Sequence, residues 1–155
     1  MGRIQRKFKG DFGQMVLCYD DKNYWAPRDA GDLKTNPNPT FVGRGIKEAF
    51  FYQNRLGFIS DESVVLSQAG DYFNFFAGSA IARSDADPVD MATSSTRPAK
   101  LKAALPTPNG LLLFAENSQF LLKSRDEAFG PTTAKLDEVS AYAYKSNVKP
   151  VETGV

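Results

Sequence analysis

The chain has 155 residues, enough for one domain with a real core, and its 42% apolar content with 12 Phe excludes general disorder. Nineteen basic and 18 acidic residues leave a formal charge of +1, which gives no ground for a dedicated nucleic-acid binder, although such a total can hide a patch on one face. The absence of His removes histidine triads, bases and metal sites, and a single cysteine, Cys18, permits no intrachain disulfide.

The opening "MGRIQRKFKGDFG" is basic but has no following apolar core, so it does not read as a signal peptide. Arg6 stands where a myristoylation signal needs a small hydroxyl residue. Arg3, Arg6, Lys7 and Lys9, interleaved with Phe8 and Phe12, could meet phosphates or acidic neighbours, but a solvated, frayed terminus is the plainer reading. Met15 to Tyr19 reads as a strand that turns through Asp20–Asn23 and returns through Tyr24 and Trp25. Cys18 between Leu17 and Tyr19 is expected to be a buried or half-buried thiol. Ala26 to Thr40 holds three prolines and two Asn-Pro steps and reads as a long loop, of the kind that does something or lies against a neighbour.

Gly43 and Gly45 argue against a helix in "FVGRGIKEAF". A hairpin follows: Arg55 to Ser60 runs up, Asp61-Glu62-Ser63 turns, and Val64 to Gln68 runs down. Gly70-Asp71 then signals a turn into Tyr72, Phe73, Phe75 and Phe76. Residues 79–98 are polar and rich in small residues, and within them "PVDMATSSTR" fits a short strand or an irregular connection equally well. The longest helical candidate, Ser94 to Leu105, is broken by Pro98. Gly110 to Ser124 forms a second clear hairpin, Gly130-Pro131 another turn, and Val139 to Ser146 alternates with period two like a half-buried strand. The ending "KPVETGV" looks like a turn opening into a further strand. No apolar run approaches the length of a membrane span. The fold class is all-β.

The two hairpins align at an offset of 56 residues, with Phe58 over Phe114, Asp61 over Asn117, and Val64–Leu66 over Phe120–Leu122. Applied loosely, Val16 to Trp25 is a third copy about 41 residues earlier. Hairpins recurring every 40 to 55 residues or so have the spacing of propeller blades, each a small antiparallel sheet that buries its faces only by stacking on another. Residues 1–155 are therefore expected to form a single β domain of antiparallel hairpin repeats, two to three blade-like units of a β-propeller-like fold. Aromatics beside the hairpins would be buried in the seams between units.

Candidate chemistry is sparse. Asp85, Asp87 and Asp90 are the tightest carboxylate cluster, but Pro88 interrupts and no distal Glu completes a calcium loop, so polar turns serving backbone N–H groups are expected. Ser60 beside Asp61 and Glu62 has no histidine to act as base. Gly43-Arg44-Gly45 is too short for a phosphate fingerprint and no helix follows. No catalytic, cofactor-binding or metal-binding residue is assigned, no cofactor is expected, and the chain does not read as an enzyme.

The blocks "GDLKTNPNPTFVG", "FFYQNRLGFISDESVVLSQAGDYFNFF" and "DADPVDMA", in this order from about Gly31 to Val89, resemble the tail tubular protein B family of short-tailed phages, the nozzle of the podovirus tail. A looser match continues through "NGLLLFAENSQFLLKS", "GPTTAKLDEVSAY" and "PVETGV". The resemblance implies a non-enzymatic virion component, made in the host cytoplasm and assembled into the tail. In its full-length form it would self-associate as a hexameric ring, meet the portal adaptor and tail fibre proteins, and surround the path of the outgoing genome. Family chains are several times longer, so the sequence would be a fragment. The proline loop would suit a subunit contact, so that deleting Asn36 to Pro39 would weaken assembly and spare the fold. The competing reading is a propeller-like carbohydrate-binding or depolymerase module of a phage tail. It would need exposed aromatics beside carboxylates; Tyr72, Phe73 and Asp71 are the nearest candidates, with the aromatics expected to be buried.

Overall fold

A computed structural model describes residues 3–9, 14–20, 25–145 and 147–153. Ten strands and no helix are found among the described residues. β1 (Arg3–Lys9) pairs antiparallel with β2 (Gln14–Asp20), Arg3 opposite Asp20 and Lys9 opposite Gln14. One sequence expectation changes here: the basic opening, expected as a frayed end, is a strand, and β2 pairs with it. The expected return through Tyr24 and Trp25, and with it the third copy of the repeat, depends on a turn outside the described residues. The turn Asp21–Tyr24, Phe12 and the side chain of Cys18 lie outside the described residues.

The remaining strands form two four-stranded antiparallel meanders. The first holds β3 (Glu48–Tyr52), β4 (Arg55–Ser60), β5 (Ser63–Leu66) and β6 (Val89–Ala92). The second holds β7 (Leu101–Thr107), β8 (Gly110–Ala115), β9 (Gln119–Ser124) and β10 (Ala134–Ser140). Each predicted hairpin is the central pair of one sheet, and strand β6 resolves the open reading of "PVDMATSSTR". The helical candidate Ser94 to Leu105 instead contributes most of β7; Pro98 lies before the strand, and the apolar run Leu101–Leu105 serves a sheet. The last strand begins earlier than its alternation indicated: β10 ends at Ser140, and Tyr142 and Tyr144 lie beyond it.

The two sheets repeat one hydrogen-bonding scheme. Ser60 pairs with Ser63 across the turn Asp61-Glu62, and the Ala115 N–H donates to the Ser118 carbonyl across Glu116-Asn117 at 2.8 Å. Glu48 lies opposite Ile59, and Ala103 opposite Phe114. These pairs superpose at an offset of 55, one less than the offset that matches residue identities. A shift of one residue in a strand exchanges its faces, so the packing decides which equivalence is physical. One face of the first sheet, with Phe50, Ile59, Val64, Leu66 and Val89, packs against Leu111, Leu113, Phe120 and Leu122 of the second. Its other face, with Leu56, Phe58 and Val65, is covered by Trp25, Phe41, Ile46 and Phe75. At offset 55, Leu56, Phe58 and Val65 correspond to Leu111, Leu113 and Phe120. The front of one unit therefore packs on the back of the next.

Two glycines make this packing possible. A Cβ on Gly57 would lie 2.3 Å from the ring of Phe50, its cross-strand partner, so the ring folds over the glycine. A Cβ on Gly130 would lie 2.6 Å from the Cα of Asp85, where a loop of the first sheet meets a loop of the second.

Candidate functional site

The most elaborate polar constellation is centred on Arg55, the first residue of β4, which is 1% exposed. The strand starts a fully buried run, and the side chain escapes desolvation only by collecting backbone carbonyls. Nη1 donates to Ser67 O at 3.0 Å, to Asp87 O at 2.6 Å and at the long limit to Ala86 O. Nη2 donates to Phe129 O at 3.1 Å and to Asp85 O. The guanidinium also lies over the Phe129 ring, 5.5 Å from its centroid. Burial lowers the guanidinium from its ordinary value, and the nearby carboxylates of Asp87 and Asp85 oppose that shift. Nε has no partner, which costs part of what the other donors contribute. Arg55 thus ties its own strand, the connection from β5 to β6 and the connection from β9 to β10 into one body. Its chemistry is that of a pin: its hydrogen bonds go to main-chain oxygens, and its charge lies over one ring.

The Asp cluster serves the same loops. Asp87 is buried and accepts from the Gly78 and Ser84 N–H groups at 3.1 and 2.8 Å. Asp90 accepts from both the N–H and the hydroxyl of Thr40, at 2.9 and 2.8 Å. Asp85 contributes its carbonyl to Arg55. The carboxylates of Asp87 and Asp90 are engaged separately, each by turn or loop N–H groups, and Asp85 takes part through its main chain. Ser60 is fully buried and its hydroxyl donates to the Gly45 carbonyl, while Asp61 and Glu62 form the tight turn, Asp61 with a positive φ of 49°. Arg44, between Gly43 and Gly45, lies 3.8 Å from Asp61 on the surface.

The proline loop is fastened to the body. Asn36 is 2% exposed; its side chain donates to Ala30 O and Ala77 O and accepts from the Ala77 N–H, while Arg28 Nε donates to its carbonyl at 2.6 Å. Pro39 is buried as well. Asp32 organises the loop start by accepting from the N–H groups of Lys34 and Thr35 and from the Thr35 hydroxyl. Those hydrogen bonds, with the Thr35 N–H first, hold its carboxyl below the ordinary value. Removal of Asn36 to Pro39 would take out buried hydrogen-bonding partners, so the expectation of an undisturbed fold does not survive the geometry.

Aromatic placement departs from expectation in part. Phe75 is buried in the cluster with Trp25, Phe41 and Phe58. Tyr72 and Phe73 are 37% and 46% exposed, and Phe51 is 61% exposed. Phe51 and Tyr72 meet edge to face at 5.4 Å, and the Tyr72 hydroxyl donates to Asn54 Oδ1. The reason is position: these residues sit at the rim of the face already filled by Trp25, Phe41 and Phe75. From sequence, Arg55 has no role beyond opening a strand and Asn36 lies in a loop suited to a subunit contact, whereas both are buried. An arginine opening an otherwise apolar strand was the available signal for the first.

Residues 7–155 match the family described as bacteriophage nozzle protein. Over 116 residues, 75% of the chain, the sequence is 44% identical to the tail tubular protein gp12 of Escherichia phage T7. The matched region spans 14% of that protein's length.

Proposed function

The chain belongs to the bacteriophage nozzle protein family, whose place is the virion tail, and from that membership we propose that it is a non-catalytic wall element of a short phage tail. In this reading the two sheets are consecutive blades of a propeller-like domain in a longer tail protein. That protein would close into a hexameric ring beside the portal adaptor and tail fibres, around the path along which the genome leaves. The observation that carries the reading is the front-to-back stacking of two meanders in one register, locked by Arg55. A conduit wall needs rigid hydrogen-bonded sheets, and a net charge of +1 suits a surface past which DNA slides without strong clamping.

Cryo-electron microscopy of purified tails tests this. The expected result is density for two stacked four-stranded sheets in the wall of the tail tube. Placement of this chain in a fibre or in the capsid shell would refute it. Light scattering on the isolated chain addresses assembly: a ring would mean that these residues carry the assembly surface, and a monomer would assign it to the rest of the protein.

The exposed edge of Phe51, Tyr72 and Phe73 beside Asp71 favours a second reading, a carbohydrate-binding surface of the tail. A glycan array separates the two. A hit abolished by Tyr72→Ala and Phe73→Ala would support sugar binding, and an empty array would leave the wall element alone.

A further inference from the structure

The small net charge conceals a local concentration of lysine. β3 and β7 are the first strands of their sheets and lie together, with the Ala104 N–H donating to Glu48 Oε2 at 2.9 Å. β7 is irregular at one residue. The register of β7 with β8 passes from Leu101 opposite Ala115 to Ala103 opposite Phe114, so Lys102 is a bulge. Lys47 lies just before β3, between the bridged residue Ile46 and Glu48, and its N–H donates to Ile59 O at 2.8 Å. At offset 55 the two lysines are the same position of the two units. A bulge re-aims a side chain away from the regular faces, and Lys102 in its bulge and Lys47 just before β3 line the same two adjoining cavities.

The first cavity, of about 160 Å³, also takes in Lys100 and Asp61. The second, of about 350 Å³, takes in Glu48, Tyr144 and Lys149. The Tyr144 hydroxyl donates to the Val148 carbonyl, which holds the segment that presents Lys149. The carboxylates nearby are already committed: Glu48 accepts from a backbone N–H, and Asp61 faces Arg44. Among the described residues, no carboxylate lies within ion-pair distance of Lys47, Lys100, Lys102 or Lys149.

We propose that Lys47, Lys102 and Lys149, with Lys100 at the margin, form a binding site for phosphate groups where the first strands of the two units converge. An ammonium group offers three donors and no acceptor. Several of them around one cavity fit a ligand with many charged oxygens, and a phosphate can accept from three lysines at once. The site stands independently of the tail assignment, since it rests on the repeated lysine and the shared cavities.

The test is an amide NMR titration of the purified chain at low salt, with tripolyphosphate as one probe and a short DNA duplex as the other. Shifts are expected at Lys47–Glu48, Leu101–Ala103 and Val148–Lys149. Lys47→Gln with Lys102→Gln should weaken binding roughly tenfold or more, from the loss of two charge-assisted contacts. Both side chains are at least partly exposed, so the fold should persist, and the amide spectrum itself reports it. Lys123→Gln, at an exposed position of β9, should leave binding unchanged. A duplex that shifts the same amides identifies the phosphates as nucleic-acid backbone; tripolyphosphate acting alone identifies a free polyphosphate; both uphold the site. No localised shift with either probe, or shifts indifferent to the double substitution, would overturn it.

Discussion

Replacing Arg55 by Met keeps the length of the side chain and removes every donor. Five carbonyl oxygens, of Ser67, Asp85, Ala86, Asp87 and Phe129, then lose their partner. A buried polar group left unsatisfied costs about 1–3 kcal/mol. Water can reach some of these loops and Nε was unpartnered from the start, so the sum is well below five such costs. A total of about 3–5 kcal/mol is expected, equivalent to two or three carbonyls left without a partner. In a domain of this size that is a fall in Tm of roughly 10 °C. Urea and thermal denaturation followed by circular dichroism measure it, and amide exchange should show early loss of protection at Gly78 and Ser84, which depend on Asp87. Arg55→Lys should recover less than half of the loss, because one ammonium cannot fork between two loops. A cost for Arg55→Met below about 1 kcal/mol would refute the role of Arg55 as a pin, since each contact is expected to contribute at least that much.

Further outcomes follow from particular contacts. Gly57→Ala sets a Cβ against the Phe50 ring and should cost about 1–3 kcal/mol in urea denaturation; pairing it with Phe50→Leu should recover part of that loss. Asn36→Ala breaks the reciprocal bonds with Ala77 and should cost about 2–3 kcal/mol, and deletion of Asn36 to Pro39 should give a less stable chain by thermal melting. The Asp32 carboxyl has a depressed folded value, so its contribution is complete above the ordinary aspartate range and is lost as pH falls through the lower folded value. An NMR pH titration should show the Lys34 and Thr35 amides keeping their native shifts through the ordinary range and changing only below it.

Period-two patterning and turn chemistry were enough to read both central hairpins, because their register is pinned by short polar turns and by uninterrupted apolar runs. The flanking strands were harder for distinct reasons. β7 follows Pro98 and is rich in Ala and Leu, residues with helical preference, and only its place beside β8 makes it a strand. β2 carried a sound strand signal but an ambiguous partner, since polar stretches lie on both sides of it. At β10 the alternation through Ser140, Tyr142 and Tyr144 continued past the point where pairing with β9 ends. Lys47 and Lys102 were invisible for another reason. They align only in the hydrogen-bonding register, and composition spread their charge over a neutral total. Arg55 could have been flagged as a charge inside an apolar strand, but its acceptors are backbone atoms of three distant segments, which no local pattern encodes.

The difference between offsets of 56 and 55 decides the architecture. Matching residue types sets Phe58 on Phe114, yet these side chains face opposite ways: Phe58 is fully buried under Phe41 and Phe75, whereas Phe114 is half-buried against Tyr144. Under the register of 55, Ile59, Val64 and Leu66 correspond to Phe114, Gln119 and Leu121. A sandwich of two related sheets would bury like faces together and thereby close. Here the front of the first unit covers the back of the second, a head-to-tail contact that does not close after two. Leu112, Phe114 and Leu121 on the front of the second sheet remain half-buried, while the back of the first is filled by Trp25, Phe41 and Phe75. The stack therefore has a direction. One end is sealed by an aromatic plug of Trp25, Phe41 and Phe75, and the other is a half-buried face of Leu112, Phe114 and Leu121.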